Sequence, residues 1–317
     1  MRLLRGLHNI PEDFSGCAVT IGNFDGLHLG HQGILRALKA VAQQHSVPTL
    51  VMLFEPQPKE FFAPQVAPAR LANLREKLQD LAAQGVDYVL CLPFNQTLRS
   101  MPADAFIRDI LISALGVKHL IVGDDFRFGC DRSGDYQALA LAGKEHGFCV
   151  QDTSTFEVDG ERVSSTRIRS ELAANNLARV AHLLGHPYRM SGRVAFGRQL
   201  GRMLDTPTAN VMVRRSKLPL TGVFAVCAID EACGKKYQGV ANCGVKPTIS
   251  GEPEPSLEVH LLDFQGDLYH RHLTVEFLHK IREEQKFSGL DELKQAIAAD
   301  KTAARHYFAA LPDSSRF

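Results

Sequence analysis

The stretch Gly22-Asn23-Phe24-Asp25-Gly26-Leu27-His28-Leu29-Gly30-His31 constrains this chain more than any other. An apolar run, Ala18 to Ile21, precedes it and reads as a short buried strand. After it, Ile34, Leu35, Leu38, Val41 and Ala42 recur at helical spacing, which predicts a helix starting near His31. The stretch is therefore a turn from a strand into a helix. Its glycines let the backbone bend tightly and approach a ligand, and the new helix aims N–H groups and a positive dipole end outward. A phosphate suits that position. His28 and His31 are three residues apart, so both imidazoles can face the same phosphate. Taken alone, a His-x-x-His pair reads equally well as helix-capping histidines near a glycine turn.

To about residue 152 the pattern alternates. Strand-like runs at 49–54, 88–92, 119–122 and 148–150 are separated by helical stretches near 31–44, 74–84, 103–115 and 135–146. This predicts an α/β unit, a doubly wound parallel sheet whose ligand lies beyond the carboxyl ends of the strands. Two loops at those ends are rich in aromatics: Phe54-Glu55-Pro56-Gln57-Pro58 with Phe61-Phe62, and Gly123-Asp124-Asp125-Phe126-Arg127-Phe128-Gly129. Such loops form either a local hydrophobic cluster or an apolar slot with an acidic rim, suited to a planar aromatic ligand. Downstream, Val163-Ser164-Ser165-Thr166-Arg167-Ile168-Arg169 crowds hydroxyls and guanidinium groups at a helix start. A single serine there is an ordinary N-cap, whereas the cluster is what a triphosphate tail requires.

The chain is long enough for two domains, at 317 residues. Lys plus Arg number 36 against 35 Asp plus Glu, a balance that argues against a non-specific nucleic-acid binder. The seven cysteines include no Cys-x-x-Cys pair and read as small hydrophobes in a reducing compartment. No signal-peptide core and no run of membrane-spanning length occurs, so a soluble, cytoplasmic protein is expected, with neither membrane nor nucleic acid as partner.

Residues 171–174 and 177–184 read as short helices, and Gly185-His186-Pro187 marks a boundary. The expected domains are 1–186 and 187–317. Beyond the boundary, strand-like runs at 223–229, 238–242, 257–262 and 268–277 follow one another, and helical texture returns only at 290–299 and 303–311. Leu273, Val275 and Phe277 alternate with polar neighbours, as in a half-buried strand. The second domain is expected to be a small antiparallel barrel with terminal helices. Its chemical stretch is Gly197-Arg198-Gln199-Leu200-Gly201-Arg202-Met203-Leu204-Asp205-Thr206-Pro207-Thr208-Ala209-Asn210. Glycines with arginines suit a loop that wraps phosphates. Thr208 and Asn210, two apart on an extended segment, face the same way and form a hard-oxygen pair suited to Mg²⁺ held beside ATP. The plainer reading is a turn whose Thr and Asn satisfy local backbone groups.

These motifs carry a resemblance. His28-Leu29-Gly30-His31 resembles the His-x-Gly-His motif of the nucleotidylyltransferase superfamily, and Gly22-Asn23-Phe24-Asp25-Gly26 resembles the lead-in of its flavin adenylyltransferase branch. No Walker loop and no Gly-x-Gly-x-x-Gly fingerprint is present. The Gly123–Gly129 loop resembles that branch's Gly-x-Asp-Phe-x-Phe-Gly motif, which implies that Asp125, Phe126, Phe128 and Phe62 line a flavin pocket. The serine-rich run resembles its Ile-Ser-Ser-Thr-x-Ile-Arg phosphate loop, with Val163 in place of isoleucine, and implies Ser164, Ser165, Thr166 and Arg169 as phosphate ligands. In the second half, Gly239–Thr248, Leu257–Asp263 and Val275–Phe287 together resemble the riboflavin kinase module.

From about residue 15 to residue 310 the chain thus resembles the prokaryotic bifunctional riboflavin kinase and FMN adenylyltransferase family. The resemblance implies ATP, riboflavin, FMN and FAD as substrates and products, with Mg²⁺ accompanying ATP. It implies catalytic roles for His28 and His31 and a general-base role for Glu258. Gly22, Phe24, Asp25, Gly26, Gly197, Gly201 and Arg202 would then lie against ATP, and Arg282 and Phe287 against flavin. The family usually has Leu-Gly-x-Pro-Thr-Ala-Asn where this chain reads Leu204-Asp205-Thr206-Pro207, a glycine lost and a carboxylate gained beside a phosphate loop. An adenylyltransferase whose β domain only binds flavin, and a flavin-binding regulator with degenerate sites, are the competing readings. Pantetheine-phosphate adenylyltransferases share the histidine motif but have no need of the second domain.

Overall fold

The computed structural model describes residues 1–123, 126–153, 156–196, 206–247 and 253–312. Asp125, Gly197, Gly201, Arg202 and the departure at Asp205 lie outside the described residues. By its contacts the chain divides into two compact units, Met1–Pro68 with Lys77–Ser164, and Ala69–Glu76 with Ser165–Phe317.

The first unit is built on a six-stranded parallel sheet: β1 (Arg2–Arg5), β2 (Ala18–Ile21), β3 (Thr49–Glu55), β4 (Tyr88–Pro93), β5 (His119–Val122) and β6 (Cys149–Asp152), in the order β1-β4-β3-β2-β5-β6. The winding reverses beside β2, so the turn after β2 opens at the switch point where such sheets bind ligands. Ala18–Ile21 and Thr49–Leu53 are buried residue by residue, because a parallel sheet is covered on both faces. The predicted helices are found at Leu29–Gln44, Leu74–Ala83 and Tyr136–His146, and the 103–115 helix is π-wound over Phe106–Ala114. Edge strand β1 was not expected: its four residues carry only one fully buried side chain, Leu4, and so show no apolar run. Strands β7 (Glu157–Val158) and β8 (Glu161–Arg162) add a short hairpin.

The second unit is a closed antiparallel barrel of β9 (Arg189–Ala195), β10 (Ala209–Met212), β11 (Gly222–Asp230), β12 (Lys236–Pro247), β13 (Pro253–Leu261) and β14 (His272–Arg282). Leu273, Val275 and Phe277 point inward as the alternation predicts. Strand β11 is buried on both faces: Phe224 meets Phe277 edge-on, while Val223 and Ala225 pack with Ala304 and Phe308 of the terminal helix. That helix corrects an expectation. It runs unbroken from Leu290 to Ala310 across the gap expected at 300–302, and Asp300 within it is buried against Arg282. The helix predicted from 171 starts at Ser165 instead, so the serine-rich run is its first turn.

Residues 69–76 belong to the barrel unit through one buried network. Glu76 accepts from the guanidinium of Arg215 at 2.6 Å and from the backbone N–H of Ser191 at 2.6 Å, with side chains 8% and 0% exposed for Glu76 and Arg215. Arg215 also donates to the carbonyls of Arg70 and Leu71, Tyr188 donates to Leu71, and Arg169 Nε donates to Ala69 at 2.6 Å. Burial pushes the Glu76 carboxyl up, against the pull of Arg215 and the N–H donors.

Candidate active sites

In the turn after β2, Phe24 (φ 45°) and Leu27 (φ 33°) hold left-handed backbone, uncommon for bulky residues, and both are buried, so packing enforces the shape. Gly26 takes φ 82° without that cost. Gly22 lies under the Phe24 ring, which a Cβ there would press at 3.2 Å. His28 is the N-cap of the 29–44 helix, and its Nδ1 accepts from the His31 backbone N–H at 3.3 Å. That bond leaves Nε2 to carry the ring proton. The two imidazoles stack at 3.7 Å, and Phe24 closes on His31 at 4.9 Å. Burial lowers His28 to about 4, although the nearby Asp25 charge opposes it, and holds His31 well below the ordinary range, helped by His28 and Lys77. Both rings are therefore neutral N–H donors at pH 7. His31 Nδ1 is buried with no hydrogen-bond partner among the described residues.

This has a consequence for stability. An unfolded histidine takes its proton near pH 6.5, whereas folded His28 takes it near 4. Between those values the unfolded state binds more protons, so stability falls as pH falls from about 6.5 to about 4, by about 3 kcal/mol in all for His28. The urea midpoint should drop across that window in the wild type and drop less in His28→Asn; equal slopes would refute the assignment.

The two aromatic loops meet. Phe62, Phe126 and Phe128 line a cavity of about 610 Å³ together with Phe54, Phe94 and Phe106. Phe126 and Phe128 lie parallel at 5.6 Å, and the Arg99 guanidinium sits 5.2 Å above Phe62. Ser164 ends the first unit, and Ser165, Thr166 and Arg169 lie on the helix that opens the barrel unit. Arg169 is engaged through Nε with Ala69, a structural tie its motif position did not foretell.

In the barrel unit a second cavity, of about 250 Å³, is lined by Thr208, Glu258, His260, Arg282, Glu284 and Phe287 among others. Glu258 and His260 are two apart on β13 and face it together. Asn210 is the cross-strand partner of Glu258. Arg282 makes two 2.8 Å bonds to Asp300 and lies 5.5 Å over the Phe287 ring, so it braces one wall of the cavity. Burial raises the Glu284 carboxyl, which accepts from the Asn242 side chain; a Cβ on Gly244 would occupy the place of that carboxylate.

The family model described as FAD synthetase matches residues 10–167, and that described as riboflavin kinase matches residues 184–308. A bifunctional riboflavin kinase/FMN adenylyltransferase from Pseudomonas fluorescens is 54% identical over 96% of this chain and 97% of its own length. The chain belongs to the bifunctional riboflavin kinase/FMN adenylyltransferase family. Its relative in Escherichia coli K12 is 51% identical over 97% of this chain and 98% of its own. A solved structure titled as a macrolide-efflux protein from Streptococcus pneumoniae superposes with a TM-score of 0.78 at 28% identity, covering 96% of this chain and 98% of that one.

Within this family member, three groups near the sites escaped sequence reasoning. Lys77, which no motif singled out, is 1% exposed beside His31. Asp300 fell in the gap between two expected helices and was assigned no role. Lys246, whose ammonium contacts both Asn210 and Glu258, sat unassigned in a kinase motif. In each case the partner is distant in sequence, so no local spacing announces it.

Proposed function

We propose that the enzyme divides its two reactions between two independent sites, adenylylation in residues 1–186 and phosphorylation in residues 187–317. The enzyme converts riboflavin and ATP to FMN and ADP, then FMN and ATP to FAD and pyrophosphate. The observation that carries the two-site reading is the pair of separate constellations: stacked, neutral histidines at a strand-to-helix turn, and Glu258 with Asn210 as cross-strand partners on the outer face of a barrel.

In adenylyl transfer, a phosphate oxygen of FMN attacks the α-phosphorus of ATP and pyrophosphate leaves. No covalent nucleophile is needed. His28, with its proton on Nε2, and His31 donate to phosphate oxygens as negative charge builds, at no cost in deprotonation at neutral pH. Ser164, Ser165 and Thr166, in the run that resembles the family's phosphate loop, are assigned to the triphosphate tail. The flavin ring lies among Phe62, Phe126 and Phe128. A Cβ on Gly134 would strike the Phe128 ring at 2.5 Å. Gly134→Ala should therefore displace that ring and raise KM for FMN about tenfold, leaving riboflavin phosphorylation unchanged; an unchanged KM would remove Phe128 from the flavin site.

In phosphorylation, Glu258 takes the proton of the riboflavin hydroxyl as its oxygen attacks the γ-phosphorus and ADP leaves. Among the described residues no cluster of three or more His, Cys, Asp or Glu could hold a metal. The donor set fits Mg²⁺ that arrives with nucleotide: Thr208 and Asn210 offer neutral hard oxygens, and a lysine ammonium already lies against Asn210. When bound, Mg²⁺ neutralises phosphate charge. No helix among the described residues is long and apolar enough to cross a membrane, and free thiols with an ATP requirement fit the cytoplasm. Incubation with riboflavin, ATP and Mg²⁺ followed by chromatography of the flavins tests the whole reading: FMN and then FAD should appear, and absence of either product would remove that half.

A further inference from the structure

We propose that Lys246 occupies the cation position of the kinase site in the resting enzyme and is displaced when a divalent metal enters with ATP. This rests on the assignment of Asn210 and Glu258 to the kinase site. The Lys246 Nζ donates to Asn210 Oδ1 at 3.3 Å and forms an ion pair with Glu258. It thus joins the carboxamide oxygen proposed for the metal to the carboxylate proposed as base.

Register makes the choice of partner telling. On β12, Lys246 stands opposite Glu254 of β13, while Glu258 stands opposite Asn242. The ammonium nevertheless lies on Glu258, the next strand's oxygen cluster, where Asn210 and Glu258 are themselves cross-strand partners. Two facing strands therefore present a carboxylate and a carboxamide oxygen to one point, and a positive charge fills it. Hard oxygens that hold an ammonium are also the ligand type a divalent cation takes once nucleotide phosphates supply the rest of its shell. Both cannot lie within ligand distance of the same Asn210 oxygen. The Lys246 side chain is 46% exposed, so it can leave towards water without disturbing packed neighbours. While it stays, it screens Glu258 and keeps that carboxylate from standing uncompensated; when it leaves, Asn210 is released to the metal and Glu258 to the riboflavin hydroxyl. Lys246 is accordingly the residue that sets how much divalent metal the kinase site needs.

The test is direct metal binding to the full-length enzyme, with Mn²⁺ as probe, free Mn²⁺ followed by electron paramagnetic resonance, and a non-hydrolysable ATP analogue present. The binding class lost in Asn210→Ala identifies the kinase site; if no class is lost there, the metal assignment fails and the proposal falls with it. Given that class, Lys246→Met should tighten its Mn²⁺ affinity by about fivefold, the upper end for one exposed ion contact. Lys246→Arg, which keeps the charge, should stay near wild type. Lys301→Met removes one positive charge from the wall of the cavity that Glu258 lines and should shift the affinity by less than about twofold. Unchanged or weaker Mn²⁺ binding in Lys246→Met, or equal tightening in Lys301→Met, would overturn the displacement.

Discussion

Glu76→Ala is expected to destabilise the barrel unit severely and so to weaken riboflavin phosphorylation, although residue 76 lies far outside the kinase half of the sequence. Its carboxylate is the buried counter-charge of Arg215, whose side chain is 0% exposed, and it accepts the Ser191 backbone N–H at 2.6 Å. Removing it strands a buried guanidinium and a buried N–H together, a loss of about 3–5 kcal/mol. Against a typical total of about 5–15 kcal/mol, that is a large share. Urea unfolding followed by hydrogen exchange should show early loss of protection in β9 and in the segment around Arg215. Glu76→Gln, which keeps an oxygen for Ser191, should lose less. By the same reasoning a fragment starting at residue 187 should be less stable than the barrel within the full chain, because it lacks residues 69–76. An unchanged urea midpoint in Glu76→Ala would mean the network contributes nothing net.

The second large effect separates the chemistries. His28→Ala should lower FMN-to-FAD conversion by about 10²–10³-fold, the loss of a positioned donor, and leave riboflavin-to-FMN conversion intact. Glu258→Gln should do the reverse, lowering phosphorylation by about 10²–10⁴-fold, the usual contribution of a general base. The reason is structural: each residue sits in its own unit, against its own cavity or turn. Both rates can be read in one assay by separating riboflavin, FMN and FAD. Loss of both activities from either substitution in folded protein would refute two independent sites.

Much of this was legible from the sequence because it is local. The glycine-histidine turn follows a buried strand and caps a helix within a dozen residues. The alternation of Leu273, Val275 and Phe277 is a period-two pattern that any barrel strand shows when one face is buried. The aromatic loops could be placed together because both end parallel strands of one sheet. The rest depended on partners that no window contains. Arg215 and Glu76 are 139 residues apart, so nothing near either says that the other neutralises it. Asp300 lies in the middle of the terminal helix, and its buried partner is Arg282, 18 residues away. Lys246 had no role assigned within its motif; only barrel closure brings β10, β12 and β13 side by side and sets its ammonium between Asn210 and Glu258. Sequence periodicity reports which face of an element is buried, whereas the identity of a buried charge's partner is decided by chain topology, because electrostatic pairing acts through space and leaves no period along the chain.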